Sequence, residues 1–383
     1  MSSQGEEEGM TALTGAAATD RRPQSQFGLI NLLKAGAAQL IVLHHLAFYG
    51  PMADHVRPMW PGLIDWLGDS ARLAVQVFLV IGGFLAAKSL SPLGHAGLAD
   101  PFGAIWRRYV KLAPPFMVAT LLAAAASALA GKLMAHDSIS GPATFSQLGA
   151  HALLLHGVLG FPSLSAGAWY VAIDFQLYAL MALMLWFAGR VAANRRQPWL
   201  MPGVTALAVT LSLVYFNLDA NWDNWAPYFF GSYGLGLMAW WASDPRRKPG
   251  AASLLVGIAF LPVLAALALD FRSRIALAMA VACVLVLFGR AKTTSNGQTW
   301  SVVNGLARIS YSVFLIHFPV CLVVNAAFTR FVPHEPELQA FGMLVAWAAS
   351  LAAGAVFFSF VEVPLARLVQ RPTGQTVLRP APV

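Results

Sequence analysis

Four titratable side chains lie inside long apolar stretches of this chain. Lys34 and His45 share the first stretch, Asp174 lies in the run AWYVAIDFQLYAL, and His317 lies in ARISYSVFLIHFPV. A charge at the centre of a bilayer costs at least about 2.5–3.5 kcal/mol, so such residues usually have a structural or chemical role. Histidine titrates near neutral pH and can take a proton from a hydroxyl group. These four residues are therefore our candidate catalytic groups.

Helical spacing places Lys34 and His45 on one face. They are eleven residues apart, which is three turns plus roughly 20° and a rise of about 16 Å. A structural alternative is that Lys34 reaches the headgroups and His45 is interfacial. Asp174 could likewise be the partner of a buried base such as Lys34 or Arg308, and Glu362 has the same two candidate partners. Two buried histidines and an aspartate in three different helices favour a shared polar cavity.

A basic cluster precedes the third apolar stretch, in the sequence WRRYVKLAPPF. It contains Arg107, Arg108 and Lys111. Guanidinium and ammonium groups bind phosphates well, so the cluster is a candidate phosphate-binding site. The same residues would also anchor a helix at the cytoplasmic face.

Other chemistry is poorly supported. Cys283 and Cys321 lie in apolar runs with no disulfide or metal-ligand spacing. His136, His151 and His156 share one loop, where metal binding is possible but not favoured. The chain also lacks GK[ST], HExxH and GxSxG motifs. We therefore predict no metal site.

Composition indicates a lipid environment. The 383 residues are 58% hydrophobic and 11% charged, whereas soluble domains are about a quarter charged. A bilayer-spanning helix needs about 20 apolar residues, so we predict an all-α integral membrane protein with about ten transmembrane helices. The predicted spans are 28–49, 72–90, 108–130, 167–189, 198–216, 227–243, 251–269, 274–290, 307–328 and 339–364.

Charge predicts the orientation. Alternate loops hold sixteen basic residues on one side and six on the other, so the positive-inside rule puts the first side, with both termini, in the cytoplasm. We expect 1–25, which lacks the features of a signal peptide, to be a disordered cytoplasmic tail. Residues 26–370 would form the transmembrane domain and 371–383 a second tail. The apolar run 147–160 is too short to span comfortably, which favours a re-entrant or interfacial helix.

Six short elements, in order, make residues 26–370 resemble the acyltransferase-3 family of membrane O-acyltransferases. The family pattern has a basic residue ten positions before a histidine, a GVDLFFVLSGF-like helix, RRxxRxxP, WSLxxExxxY, SYxxYLxHxP and a terminal ExP. The matching positions are Lys34 and His45; AVQVFLVIGGF; Arg107, Arg108, Lys111 and Pro114; Trp169 through Tyr178; Ser310, Tyr311, Phe314, His317 and Pro319; and Glu362 with Pro364.

Four positions depart from that pattern, which marks a divergent member. This chain has Lys34 where the family usually has arginine, Gln76 where it has aspartate, Gly82 where it has serine and Asp174 where it has glutamate. Lysine cannot reproduce the bidentate fork of arginine.

The resemblance implies an acyltransferase-3-like helix bundle in the bacterial inner membrane. It implies transfer of an acyl group, expected to be acetyl, from cytoplasmic acyl-CoA to a hydroxyl of an extracytoplasmic glycan or glycoside. Acyl-CoA is then the donor substrate, and no metal or nucleic acid takes part. The basic cluster Arg107, Arg108 and Lys111 would hold the donor's phosphates.

The candidate catalytic groups take roles from the same resemblance. His45 would be the general base, and Lys34 would contact a phosphate or the thioester oxygen. Asp174 would orient an imidazole, and His317 would be a second proton carrier or a structural partner. Two alternatives remain open: a proton-coupled transporter or glycan exporter, since such carriers use intramembrane titratable residues, and a catalytically inactive scaffold.

Overall fold

A computed structural model describes residues 28–192, 197–291 and 298–369. The predicted tails 1–25 and 371–383 lie outside these residues. Within them the chain forms fourteen α-helices and no strand. The helices are α1 Gly28–Phe48, α2 Pro51–Val56, α3 Pro61–Asp69, α4 Val75–Leu90, α5 Pro101–Ala130, α6 Phe145–Ala152, α7 Ala168–Val191, α8 Leu200–Val214, α9 Ala226–Ala242, α10 Pro249–Leu269, α11 Ser273–Phe288, α12 Gln298–Phe331, α13 Pro336–Phe357 and α14 Val363–Val369.

Eight helical segments of the described chain, rather than the predicted ten, are long and apolar enough to cross a membrane. They are Gly28–Phe48, Pro61–Leu90, Pro101–Ala130, Ala168–Val191, Leu200–Leu218, Pro249–Leu269, Trp300–Phe331 and Pro336–Leu368.

The two other predicted spans, 227–243 and 274–290, coincide with α9 and α11. These helices have 17 and 16 residues, fewer than the roughly 20 that a bilayer core requires. The helix positions were predicted correctly, but the count of ten was too high by this criterion. The all-α membrane bundle is confirmed.

Helix α9 is short because it is interior. Nearly all of its residues are buried, and it packs against α4, α7, α8, α10 and α11. A helix surrounded by protein need not match the lipid thickness. A Cβ atom on Gly83 of α4 would overlap the carbonyl oxygen of Tyr233, and one on Gly236 of α9 would overlap that of Val80. Glycine is thus what lets α4 and α9 approach at backbone distance.

The bundle has two chemically different ends. Helices α1 and α12 run parallel, since Asn31 donates to Asn304 Oδ1 at 2.9 Å near their first turns and His45 meets His317 farther along. We call the end where α1 begins the basic end, because Arg107, Arg190 and Arg290 lie there. The opposite end, which carries the segment 131–167, is the loop end.

The run 147–160 does not form an eleventh span. It contributes the eight-residue helix α6 and a turn that leads back, closed by a 2.8 Å bond from Gln147 Nε2 to the carbonyl of Pro162. Tyr109 of α5 donates to the carbonyl of Ala152 at 2.8 Å. Tyr109 lies 21 residues before Ala130, about 30 Å along α5. The geometry therefore agrees with the re-entrant interpretation.

Candidate active site

Two histidines from different helices meet near the loop end of the bundle. His45 Nδ1 of α1 and His317 Nε2 of α12 are 2.6 Å apart, and their rings stack with centroids 4.8 Å apart. His317 is fully buried, whereas His45 keeps 8% of its surface exposed. The sequence placed these residues in separate helices, and the structure brings them together.

The hydrogen bonds of this pair fix its neutral tautomers. His317 Nδ1 lies 3.1 Å from the carbonyl oxygen of Val313, which can only accept, so Nδ1 carries the proton. His317 Nε2 must then accept from His45 Nδ1–H. The second nitrogen of His45, Nε2, is left with its lone pair, and no described residue hydrogen-bonds to it. A histidine held in this way is oriented to accept a proton.

His45 faces a large cavity, and His317 lies behind it. The cavity has a volume of ≈ 1410 Å³ and includes His44, His45, Gln76 and Trp169 in its wall. The returning segment 161–167 closes one side. A cavity of this size exceeds the usual range for small-molecule sites, about 300–1,000 Å³. It can accept a molecule larger than a single sugar.

Asp174 bonds to an arginine and not to a histidine. Its carboxylate accepts from Arg108 Nη2 at 2.5 Å, and the guanidinium also lies over the ring of Tyr178, 5.3 Å from its centroid. The Nε of Arg108 is buried without a hydrogen-bond partner. The partner of Asp174 is therefore neither Lys34 nor Arg308, and the carboxylate does not orient an imidazole here.

Lys34 belongs to a second charged group. Its ammonium lies within electrostatic range of Lys111 and Glu362, and Glu362 accepts from the hydroxyl of Ser312 at 2.5 Å. Tyr311 connects the two groups, since it is within electrostatic range of both Glu362 and Asp174. We call the following residues the charged layer: Lys34, Lys111, Glu362, Tyr311, Asp174 and Arg108.

An aromatic cluster separates the charged layer from the cavity. The rings of Phe78 and Tyr170 each pack against Phe314 of α12, with centroids 6.3 and 5.3 Å away. Phe314 itself lines the cavity and is three residues from His317. Neither Lys34 nor Asp174 is among the residues that line the cavity. In this conformation the predicted polar groups occupy two compartments.

The three residues of the predicted basic cluster also lie in two different environments. Arg107 and Lys111 are exposed, and within the described residues Arg107 contacts the exposed Asp100 alone, at 3.7 Å. Arg108 turns inward to Asp174. Two of the three predicted phosphate ligands thus remain accessible at the basic end.

Two motif departures lie in direct contact with the site. Gln76 lines the cavity and accepts a 2.6 Å bond from Ser232 of α9. A Cβ on Gly82 would lie 3.4 Å from Asp174 Oδ1 and from the ring of Tyr233. The two departures from the family pattern at positions 82 and 174 therefore lie next to each other in the structure.

Sequence reasoning missed Tyr311, Arg72 and the carbonyl of Val313 as parts of these sites. Tyr311 was visible only as a motif position, although its hydroxyl donates to the carbonyl of Leu112 at 3.1 Å. Arg72 was counted only as a loop charge. The carbonyl of Val313 gave no signal, because backbone groups have none in a sequence.

The loop histidines form a separate pair. His151 and His156 stack with centroids 4.1 Å apart, and both nitrogens of His151 are hydrogen-bonded. Both nitrogens of the buried His156 lack a partner. Burial, and then the neighbouring His151, lower the pKa of His156 from 6.5 to about 4. Within the described ranges no group of three or more His, Cys, Asp or Glu residues could hold a metal ion.

Comparison with known proteins identifies the fold. The profile of the Acyl_transf_3 family, described as an acyltransferase domain, matches residues 28–361. A curated relative, the regulator of hypoxia-inducible factor 1 of Caenorhabditis elegans, is 31% identical over 144 residues. The matched region covers 36% of this chain and 27% of that protein. No solved structure matches. The chain therefore belongs to the acyltransferase-3 family, and its apolar helices make it a multi-pass membrane protein.

Proposed function

We propose that this protein transfers an acyl group, acetyl in the simplest case, from acyl-CoA to a hydroxyl of a glycan or glycoside. The proposal rests on the geometry of His45. His317 holds its ring in place, and the free lone pair of His45 Nε2 faces a cavity large enough for a sugar chain. The acceptor occupies this cavity, and the donor's phosphates bind at the basic end. By the positive-inside rule the basic end faces the cytoplasm of a bacterial inner membrane.

The chemical step needs one base and one acid, and His45 serves as both. Its Nε2 takes the proton of the acceptor hydroxyl while that oxygen attacks the thioester carbonyl carbon. The bond between the carbonyl carbon and sulfur then breaks, and the imidazolium returns the proton to the leaving thiolate. The products are an ester and free CoA thiol. His317 holds the ring of His45 in place through Nε2.

Lys34, Lys111 and Arg107 bind the donor. Lys34 lies about 16 Å from His45 along α1, too far to touch a thioester that reacts beside His45, so it contacts a phosphate in this proposal. The donor's long flexible arm would have to pass the aromatic cluster of Phe78, Tyr170 and Phe314. Asp174 holds Arg108 in place beside this route.

The test is acyl transfer from labelled acetyl-CoA in membranes that contain the protein. His45→Ala should abolish transfer while the protein still inserts. Arg107→Gln and Lys111→Gln should raise the apparent KM for acetyl-CoA, and Arg190→Gln, an arginine at the same end, is the matched control. Full activity in His45→Ala would remove the proposed base. Equal KM values in all three basic-end variants would show that these residues only anchor the helix.

A further inference from the structure

Positive charge at the loop end is concentrated on the cavity. Six basic residues lie in the loops and helix ends there, and three of them, Arg72, Arg272 and Arg274, line the cavity. The same end has nine carboxylates, and only Asp137 and Asp223 line the cavity. The end as a whole is acidic, whereas the wall of its cavity is basic. A basic wall in a low-dielectric cleft attracts anions.

Two of the three arginines are already bound to the protein. Arg272 donates to the carbonyl of Leu213 at 3.1 Å and to Asn217 Oδ1 at 2.8 Å, with Asp270 3.4 Å away. Arg274 donates to the hydroxyl of Tyr228 at 2.6 Å. These contacts tie the beginning of α11 to the end of α8. The charges of this pair shape the cavity, but three of their four terminal nitrogens already donate to protein groups.

Arg72 is different, because its terminal nitrogens are available. Its Nε donates to the carbonyl of Asp69 at 3.1 Å in an exposed hydrogen bond, which favours one orientation of the guanidinium. Among the described residues it makes no ion pair. Arg72 lies in the 3-10 turn Ala71–Ala74, which packs on α1, and its charge reaches His44, the neighbour of His45. A guanidinium with two free nitrogens matches a carboxylate or a phosphate in bidentate geometry.

We infer that the acceptor is anionic: it carries a carboxylate or a phosphate that Arg72 binds, with the reacting hydroxyl at His45. This inference rests on the proposed function for the identity of the cavity as the acceptor site. Binding the anion to this guanidinium orients the hydroxyl toward His45 Nε2, so Arg72 is a specificity-determining residue. Neutral glycosides fill the same cavity more weakly.

The experiment measures binding and transfer separately, with three matched probes. These are methyl β-glucoside, methyl β-glucuronide and methyl β-glucoside 6-phosphate, which share a ring and differ in their charged group. Calorimetry on the purified protein in nanodiscs gives each Kd. We expect one anionic probe to bind about 10- to 100-fold more tightly than the neutral one, because hydrogen bonds to charged groups are the strong ones. The tighter anion distinguishes a carboxylate site from a phosphate site.

Variants assign the preference to Arg72. Arg72→Gln should lose it, and Arg72→Lys should keep part of it, since lysine retains the charge without the fork. Arg57→Gln is the control, an arginine at the same end that pairs with Asp65 at 3.1 Å and does not line the cavity. High salt should weaken binding of the anionic probes more than binding of the neutral probe.

Several outcomes would overturn the inference. The neutral probe could bind as tightly as both anions, no probe could bind at all, or Arg72→Gln could keep the preference. The proposed function fails in a different way: an anionic probe would bind with the expected preference, yet no acceptor would receive label from acetyl-CoA. Transfer to neutral acceptors alone would keep the function and reject the anionic acceptor.

Discussion

The histidine pair and the charged layer are both polar regions inside one membrane bundle, yet they are built on different principles. His45 and His317 form a neutral hydrogen bond beside an open cavity. Arg108 and Asp174 form an ion pair with only 26% and 11% of their side chains exposed. The first region leaves a lone pair free, whereas the second uses its charges on each other.

The free lone pair of the histidine pair suits a catalytic role, whereas the paired charges suit a structural role. A general base must have a free lone pair when its substrate binds, and His45 Nε2 has no partner among the described residues. An ion pair that is mostly removed from water holds its helices together only while both charges are present, since the survivor would be left unpaired. We therefore expect changes at the pair of histidines to affect turnover, and changes at the Arg108–Asp174 pair to affect folding.

The largest expected effect is at His45. Replacing it with alanine should lower kcat for acetyl transfer by about 10²–10⁴-fold, the usual contribution of a positioned base, with little change in thermal stability. His334→Ala is the matched control, because His334 is an exposed histidine at the same end, outside the cavity wall. A loss of stability as large as the loss of turnover would place His45 with the structural residues.

Next in size is the Arg108–Asp174 pair. Asp174→Asn or Arg108→Gln should each cost up to about 3–5 kcal/mol of stability, because each leaves one mostly buried charge without its partner. The double variant should cost less than the sum of the two. Thermal unfolding of the four proteins in detergent measures this cycle.

The exposed pair Arg57–Asp65 supplies the control cycle. Its side chains are 49% and 57% exposed, and such pairs contribute about 0–1 kcal/mol. Equal coupling energies in the two cycles would mean that the Arg108–Asp174 pair contributes no more to stability than an exposed ion pair.

A smaller effect should separate two adjacent glycines of α4. Gly83→Ala should destabilise the bundle, because its methyl group would overlap the backbone of Tyr233. Gly82→Ala should be tolerated, because its Cβ would meet Asp174 and Tyr233 at an ordinary contact distance of 3.4 Å. Expression level and thermal unfolding compare the two variants, and similar values for both would argue against the close approach of α4 and α9.

The smallest effect concerns pH. The pKa of His156 falls from 6.5 to about 4 on folding, so the unfolded chain binds more protons between these values. Stability should therefore decrease as pH falls from about 6.5 toward 4. His156→Phe should remove part of this decrease, as seen in unfolding temperatures across that range, whereas His334→Phe should not. An unchanged acid sensitivity in His156→Phe would assign it to other groups.

Much of the fold could be predicted because lipid restricts the sequence so strongly. Apolar length located the helices, and the run 147–160 was correctly judged too short to span. The count of ten was too high because the 17-residue segments 227–243 and 274–290 were counted as spans, and a central helix such as α9 is short without being exposed to lipid. The ordered motifs identified the family from residues alone.

The sequence by itself determined the membrane environment, the helix positions, the family and the one-face arrangement of Lys34 and His45. Each depends on composition, on short ordered motifs or on the 3.6-residue period of a helix. Only the tertiary structure decided that His45 meets His317, that Asp174 meets Arg108, and that aromatic rings separate the two. Those contacts join residues as many as 272 positions apart. Helical periodicity orients a side chain around its own axis, but it does not determine which helix lies opposite.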